Sequence, residues 1–553
     1  MSLITIRNGI LARWTVMLHM HASFTQLVLT DISVFAHSTS HFLVIWTAIG
    51  LAYWIDSQKK KKQHLPPGPK KLPIIGNVMD LPAKVEWETY ARWGKEYNSD
   101  IIHVSAMGTS IVILNSANAA NDLLLKRSAI YSSRPHSTMH HELSGWGFTW
   151  ALMPYGESWR AGRRSFTKHF NSSNPGINQP RELRYVKRFL KQLYEKPDDV
   201  LDHVRNLVGS TTLSMTYGLE TEPYNDPYVD LVEKAVLAAS EIMTSGAFLV
   251  DIIPAMKHIP PWVPGTIFHQ KAALMRGHAY YVREQPFKVA QEMIKTGDYE
   301  PSFVSDALRD LQNSENQEAD LEHLKDVAGQ VYIAGADTTA SALGTFFLAM
   351  VCFPEVQKKA QRELDSVLNG RMPEHADFPS FPYLNAVIKE VYRWRPVTPM
   401  GVPHQTISDD VYREYHIPKG SIVFANQWAM SNDETDYPQP DEFRPERYLT
   451  EDGKPNKAVR DPFDIAFGFG RRICAGRYLA HSTITLAAAS VLSLFDLLKA
   501  VDENGKEIEP TREYHQAMIS RPLDFPCRIK PRSKEAEEVI RACPLTFTKP
   551  ASG

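Results

Sequence analysis

"FGFGRRICAGRYLAHS", Phe467–Ser482, closes a glycine-rich run on a single cysteine and then turns helical. Gly468 and Gly470 allow a tight backbone loop, and Gly476 lets a bulky group approach closely. The continuation "RYLAHSTITLAAASVLSLFDLL" predicts a long, largely buried helix, so Cys474 stands at a helix N-terminus. Unsatisfied amides and the helix dipole there favour a thiolate over a thiol. A lone thiolate in this setting suits two chemistries: a redox nucleophile, or the single axial ligand of a haem iron. Cys352, Cys527 and Cys543 lie far off in sequence, without paired zinc-type spacing. So few and so scattered, the cysteines fit a reducing compartment rather than a disulfide framework.

The bulk composition is that of an ordinary globular protein. Of 553 residues, 43% are apolar and 22% charged, and the formal charge is −2, so no basic excess points to nucleic acid. The run "FLVIWTAIGLAYWI", Phe42–Ile55, is uncharged and precedes four lysines, Lys59–Lys62. Extended back through "SVFAHSTSH" it reaches the roughly 20 residues that a helix needs to cross a bilayer. Positive charge after the apolar stretch, with Tyr53 and Trp54 at the interface, predicts a single-pass anchor with the rest of the chain in the cytosol. The expected organisation is a leader at 1–32, a transmembrane helix at 33–55 and a basic, proline-rich linker at 56–78. A catalytic domain at 79–530 and a tail at 531–553 follow. Within the linker, "LPPGPKKLPIIGN" reads as a semi-rigid strut. Short strands are expected at "DIIHVSAMG", "SIVILN" and around Val402–Phe424, with long helices elsewhere, giving one mainly α domain with a small β component.

Four further stretches carry polar residues in unusual places. In "KEVYRWRP", Glu390 and Arg393 are three apart and share a helix face, and "DEFRPERYL" adds Arg447. In "ESWRAGRRS", Trp159 and Arg163 are four apart on a predicted helix. The long helical run "EHLKDVAGQVYIAGADTTASALGTFFLAMV" ends before Pro354, and Gly335, Asp337, Thr338 and Thr339 interrupt it. All four are poor mid-helix residues, and a small polar groove beside a cofactor is a reason to accept them.

Together these stretches resemble the cytochrome P-450 family. The pattern Phe467-Gly-x-Gly-x-Arg472-x-Cys474-x-Gly476 is similar to its haem-binding loop at every position, and the likeness extends over nearly all of residues 65–530. The resemblance implies the cytochrome P-450 fold, with haem between a long central helix and the cysteine loop. It implies heme b (iron protoporphyrin IX) with Cys474 as axial ligand, and Trp159, Arg163, His404 and Arg472 toward its propionates. Glu390, Arg393 and Arg447 would form a structural cluster locking that loop. Asp337 and Thr338 would deliver protons during dioxygen activation.

The implied activity is a monooxygenase that inserts one oxygen atom of dioxygen into a lipophilic molecule. Electrons would come from a membrane-bound NADPH–cytochrome P-450 reductase at the endoplasmic reticulum, since the chain shows no phosphate-cradling loop of its own. The strut and cysteine loop look most like fungal, mushroom-type microsomal enzymes of secondary metabolism. The aromatic segment "STMHHELSGWGFTWALM" (Ser137–Met153) and the apolar "AFLVDIIPAMKHIPPWVPG" (Ala247–Gly265) are expected to roof the pocket and touch the bilayer, favouring a terpenoid substrate. Alternatives are a polyketide or indole substrate, a rearrangement or dehydration enzyme working without a reductase, and a haem sensor without turnover.

Overall fold

Pro354 cannot extend a helix, and the longest helix of the chain, Gln317–Cys352, stops just before it. The same proline then opens the next helix, Pro354–Leu368, at a position where its missing N–H costs nothing. The computed structural model describes residues 64–82, 84–170, 178–243 and 248–547. The leader at 1–32, the membrane span expected at 33–55 and the four lysines lie outside the described residues. Residues 66–413, together with the chain from 417 onward, form one body. Residues 64, 65 and 414–416 belong to a separate small unit, in which the His416 backbone N–H donates to the His64 carbonyl at 2.7 Å.

The body is built around Gln317–Cys352, hereafter the central helix. An 18-residue stretch of it has a mean hydropathy of 1.2, which would suit a membrane span, but that stretch is mostly buried within the body. Leu343, Phe346, Phe347 and Met350 are fully enclosed by helices Asn178–Glu195, Pro382–Trp394 and Arg477–Leu494. Further toward its N-terminus, Leu324, Val327 and Tyr332 meet a second apolar cluster that includes Phe268–Thr296. Gly335 has a packing role beyond a polar groove. A Cβ there would stand 2.9 Å from the Thr212 methyl of helix Val200–Tyr217, so only glycine lets the two helices approach this closely.

Sheet structure is small. Strands Ile101–Ala106 and Thr109–Leu114 form a hairpin with Ile101 opposite Leu114. Thr109–Leu114 continues in parallel onto Ile422–Ala425, which pairs antiparallel with the two-residue edge His404–Gln405. His404 is thereby fixed on a sheet edge. One element differs from expectation. The helix after the cysteine ends at Leu494, and Phe495–Lys499 is a strand paired antiparallel with Cys527–Pro531. The apolar run "FDLL" suits either state, and the available partner strand decides it.

Beyond residue 530, Ser533 caps the helix Lys534–Ala542 by accepting from the Ala536 N–H. Ala536, Ile540 and Cys543 join the main core, and the Phe547 ring lies 4.2 Å from the guanidinium carbons of both Arg184 and Arg188. Such cation–π contacts each contribute about 0.5–2 kcal/mol.

Glu390 is fully buried on Pro382–Trp394 and accepts from every side. Arg393 binds it through Nε and Nη2 at 2.8 Å each, Arg447 Nε at 3.3 Å, Tyr448 Oη at 3.1 Å and the Arg444 backbone N–H at 2.9 Å. The arginines spend their other donors on the Ser431, Pro438, Gln439 and Glu442 carbonyls, tying residues 431–447 to the helix. Replacing Glu390 by Ala strands two buried guanidiniums. Denaturant unfolding should show a loss of about 3–5 kcal/mol, and a loss below about 1 kcal/mol would mean that the cluster contributes little.

Candidate functional site

Cys474 sits in a closed loop. Its N–H donates to the Phe467 carbonyl at 2.8 Å, and Arg477 Nη1 binds its own carbonyl at 2.9 Å. The turn depends on Gly470, with φ of +57° and the Leu124 carbonyl oxygen only 2.1 Å from where a Cβ would stand. The Phe467 ring meets Tyr392 edge-on at 5.3 Å and Phe463 at 4.5 Å. Gly476 caps helix Arg477–Leu494, and the nearest outside group to its missing Cβ is the Phe166 ring at 3.8 Å.

The sulfur is accessible although protein encloses it, which marks a side chain on the wall of an internal cleft. Burial pushes the Cys474 thiol up; the Gly476 and Arg477 backbone N–H groups and the Arg163 and Arg477 charges pull the other way without overcoming it. A helix start alone therefore does not make this sulfur an anion, and a free-thiol nucleophile is disfavoured. A positive centre bonded to the sulfur would supply what the helix does not.

The central helix forms another wall. Along its buried stretch Ala334 is exposed, while Gly335 and Thr338 are half-buried. Thr338 Oγ1 donates to the Ala334 carbonyl at 2.7 Å, so its lone pairs remain to accept. Asp337 is buried and shares Arg521 Nη1, at 3.4 Å, with Glu233. Burial raises the Asp337 carboxyl above its usual range, and the Arg521 charge offsets part of that rise.

A cluster of cations borders the cysteine loop. Arg163, on helix Glu157–His169, donates to the Ile473 carbonyl at 2.5 Å. Arg472 is 8% exposed and donates to the Ser132 and Met153 carbonyls at 2.7 Å each, with its guanidinium 4.6 Å above the Trp159 ring. Its Nη1 is buried without any hydrogen-bond partner. His404, 5% exposed, has Nδ1 2.7 Å from the Tyr131 carbonyl, which assigns that proton and turns Nε2 away from it.

Arg134, which local sequence does not distinguish, joins them. At 6% exposure it donates to the Ala151, Val402 and Pro403 carbonyls. Burial pushes Arg472 down to about 9, and burial with the Arg472 charge pushes Arg134 lower than usual. His404 is likewise driven down, first by burial and then by Arg134.

Among the described residues none of these arginines pairs with a carboxylate. Interiors accept clustered cations only against negative charge. The set therefore fits a bound group carrying carboxylates, and haem carries two. Arg134, Arg163, Trp159, His404 and Arg472 are thus gathered from four distant stretches around one enclosed sulfur.

The aromatic side chains of the segment are anchored in the core. Trp146 and Phe148 stack at 5.8 Å inside the second core cluster, Phe148 against Gly329 of the central helix and Trp150 against Gly162. Of its histidines, His140 bonds the Thr149 hydroxyl at 2.8 Å and His136 bonds Glu142 at 2.9 Å. Among the described residues no grouping of His, Cys, Asp and Glu is suited to a separate metal ion.

Comparison with known proteins agrees with this geometry. Residues 66–525 match the family model for Cytochrome P450. The chain is 96% identical over 510 residues to Cytochrome P450 monooxygenase ple1 of Rhodocybe pseudopiperita, an alignment spanning 92% of this chain and 98% of that one. It is 41% identical over 501 residues to Cytochrome P450 monooxygenase 98 of Postia placenta, spanning 90% and 96%. It is also 39% identical over 501 residues to a tryptamine 4-monooxygenase of Psilocybe cyanescens, spanning 89% and 98%. The chain belongs to the cytochrome P450 family, the monooxygenases that work with a cysteine-ligated haem.

Proposed function

We propose that this monooxygenase oxidises an uncharged, lipophilic secondary-metabolite intermediate of terpenoid type, with electrons from NADPH delivered by a membrane-bound reductase. The observation that carries the reading is the pairing of an enclosed Cys474 with a central helix that, within its buried stretch, leaves Ile333, Ala334, Gly335 and Thr338 accessible. Bound at Cys474, haem supplies reductive activation of dioxygen and insertion of one oxygen atom into a C–H or C=C bond.

In this reading the chain's residues position and protonate. Arg134, Arg163, Arg472 and His404 hold the cofactor's carboxylates, with Trp159 packed beneath Arg472, and planar guanidinium donors suit that task. Glu390, Arg393 and Arg447 keep the loop before Cys474 rigid. The Thr338 hydroxyl accepts a hydrogen bond from water in the cleft, and Asp337 supplies protons from outside.

Several features support an uncharged substrate arriving from a membrane. A cationic amine needs a carboxylate partner, but Asp337 is tied to Arg521, and Glu142 of the 137–153 segment to Lys257 and His136. This favours a terpenoid over a tryptamine-like molecule. Trp262 is 82% exposed and Ile74 72%, with Ile253, Ile267 and Met79 also exposed. Such side chains suit a bilayer surface and agree with a single-pass anchor at 33–55 in the endoplasmic reticulum and a body on the cytosolic side. Exposed Arg160 and Arg164, which share Glu157, and Lys168, paired with Asp310, leave with Arg471 of the cysteine loop a net positive face that suits the reductase.

Microsomes containing the chain and a reductase should convert a terpenoid to a product carrying one atom of isotope-labelled dioxygen, only when NADPH is present. Turnover without reductase, and without label, would favour the rearrangement reading. Thr338→Ala should keep consuming NADPH while peroxide released per product rises about tenfold or more; unchanged coupling would remove Thr338 from proton delivery. Arg134→Gln and Arg472→Gln should each speed haem transfer to apomyoglobin by about tenfold or more, the equivalent of one lost charged hydrogen bond. Unchanged transfer would separate that arginine from the cofactor.

A further inference from the structure

Four elements bring charged groups to the outer side of Asp337. Arg521, in the chain that precedes Cys527–Pro531, places Nη1 3.2 Å from Glu233 Oε1 and 3.4 Å from Asp337 Oδ1, so that one donor faces two carboxylates. Glu233, on helix Pro227–Met243, turns its other oxygen to Arg205 Nε at 3.5 Å. Arg205, on Val200–Tyr217, also binds Asp202, whose side chain is well exposed. His515 is exposed, and its backbone N–H donates to the Arg521 carbonyl at 2.8 Å. Asp337, Arg205, Arg521 and Ser341 form the polar side of a half-open cavity of about 20 Å³, closed otherwise by apolar residues such as Leu201 and Val204; Glu233 lies outside its lining. That volume holds one water, and the lining offers it polar partners.

We propose that Arg521 and Glu233 form the proton inlet of this enzyme, with Arg521 a positioning residue shared by an outer and an inner carboxylate. This deepens the reading of Asp337 given above and rests on it. Glu233, half-buried and bonded to both arginines that line the cavity, takes up a proton and passes it to Asp337 through a water held beside Arg521. As the proton crosses, Glu233 regains its negative charge and Asp337 becomes neutral. The Arg521 guanidinium therefore keeps one anionic partner throughout, and no buried charge is left alone at any stage. Neutral Asp337 is released from Arg521 and gives its proton on the Thr338 side of the helix. Its carboxylate then returns to Arg521. One proton enters from solvent and one reaches the cleft, with no other bond made or broken.

The charges predict opposite effects for the two partners. Burial raises the Asp337 carboxyl first, Arg521 lowers it and Glu233 raises it, with the Arg205 charge and the titratable His515 as the other groups facing this site. The test uses the full-length holoenzyme in microsomes, and follows the carboxyl stretching band assigned to Asp337 by its loss in Asp337→Asn. Arg521→Gln should move the titration midpoint of that band up by about one pH unit or more. Glu233→Gln should move it down, and Arg521→Lys should return it toward the parent value. Both Gln variants should also raise the solvent deuterium effect on NADPH-supported turnover severalfold. A merely structural role for Arg521 would lower stability without moving the midpoint in opposite senses for the two variants. If Asp337→Asn leaves coupling intact, the relay role of Asp337 fails and the inlet with it. If Asp337→Asn uncouples turnover while neither Gln variant changes the midpoint or the isotope effect, the inlet alone is overturned. Should Arg521→Gln not fold, Glu233→Gln, at a partly exposed position, decides the question by itself.

Discussion

A sulfur enclosed by protein is stable as an anion only against a positive partner. In this chain burial works against the Cys474 thiolate, and two backbone N–H groups with two nearby guanidiniums do not outweigh it. The loop that closes from Phe467 to Cys474 therefore presents a ligand that needs its metal. The converse holds on the cation side, where Arg134, Arg163 and Arg472 are sunk among backbone carbonyls without a carboxylate partner in the described chain. One bound group, cationic at its centre and anionic at its rim, satisfies both demands at once. The cleft is thus an electrostatic mould, and the helices around it hold its shape.

That division of labour explains where the fold spends its rigidity. Glu390 is buried with five donors on it, far more than stability alone would require of a carboxylate, and its partners all lead into the segment ahead of the cysteine loop. The central helix accepts poor helix formers where they are useful. Gly335 admits Thr212, Thr338 bonds back to Ala334, and Asp337 faces Arg521. Helix packing, a back-bonded hydroxyl and a buried ion pair meet within four consecutive residues, so the sequence there is constrained from three directions.

How much of this is legible in the sequence depends on distance along the chain. The cysteine loop is legible because its constraints are local: glycines, a helix start and one thiol within ten residues. The Glu390–Arg393 pair is legible from helical spacing, and the hairpin 101–114 from its apolar runs. Arg134, Arg521 and Glu233 are not, because each meets its partners only after folding; Arg134 bonds carbonyls 268 and 269 residues away, and Arg521 reaches Asp337 across 184. The aromatic segment 146–150 reads as a pocket roof by composition, yet glycines at 162 and 329, on other helices, open room for it in the core. "FDLL" reads as helix until a partner strand some thirty residues later claims it.

The central claim, a thiolate at position 474 bonded to haem iron, has a direct optical test. Haem-loaded protein, reduced under carbon monoxide, should show the strongly red-shifted Soret band that only a thiolate-ligated iron gives. Folded, haem-loaded protein whose Soret band stays at the unshifted position of a histidine-ligated or ligand-free haem would contradict the account.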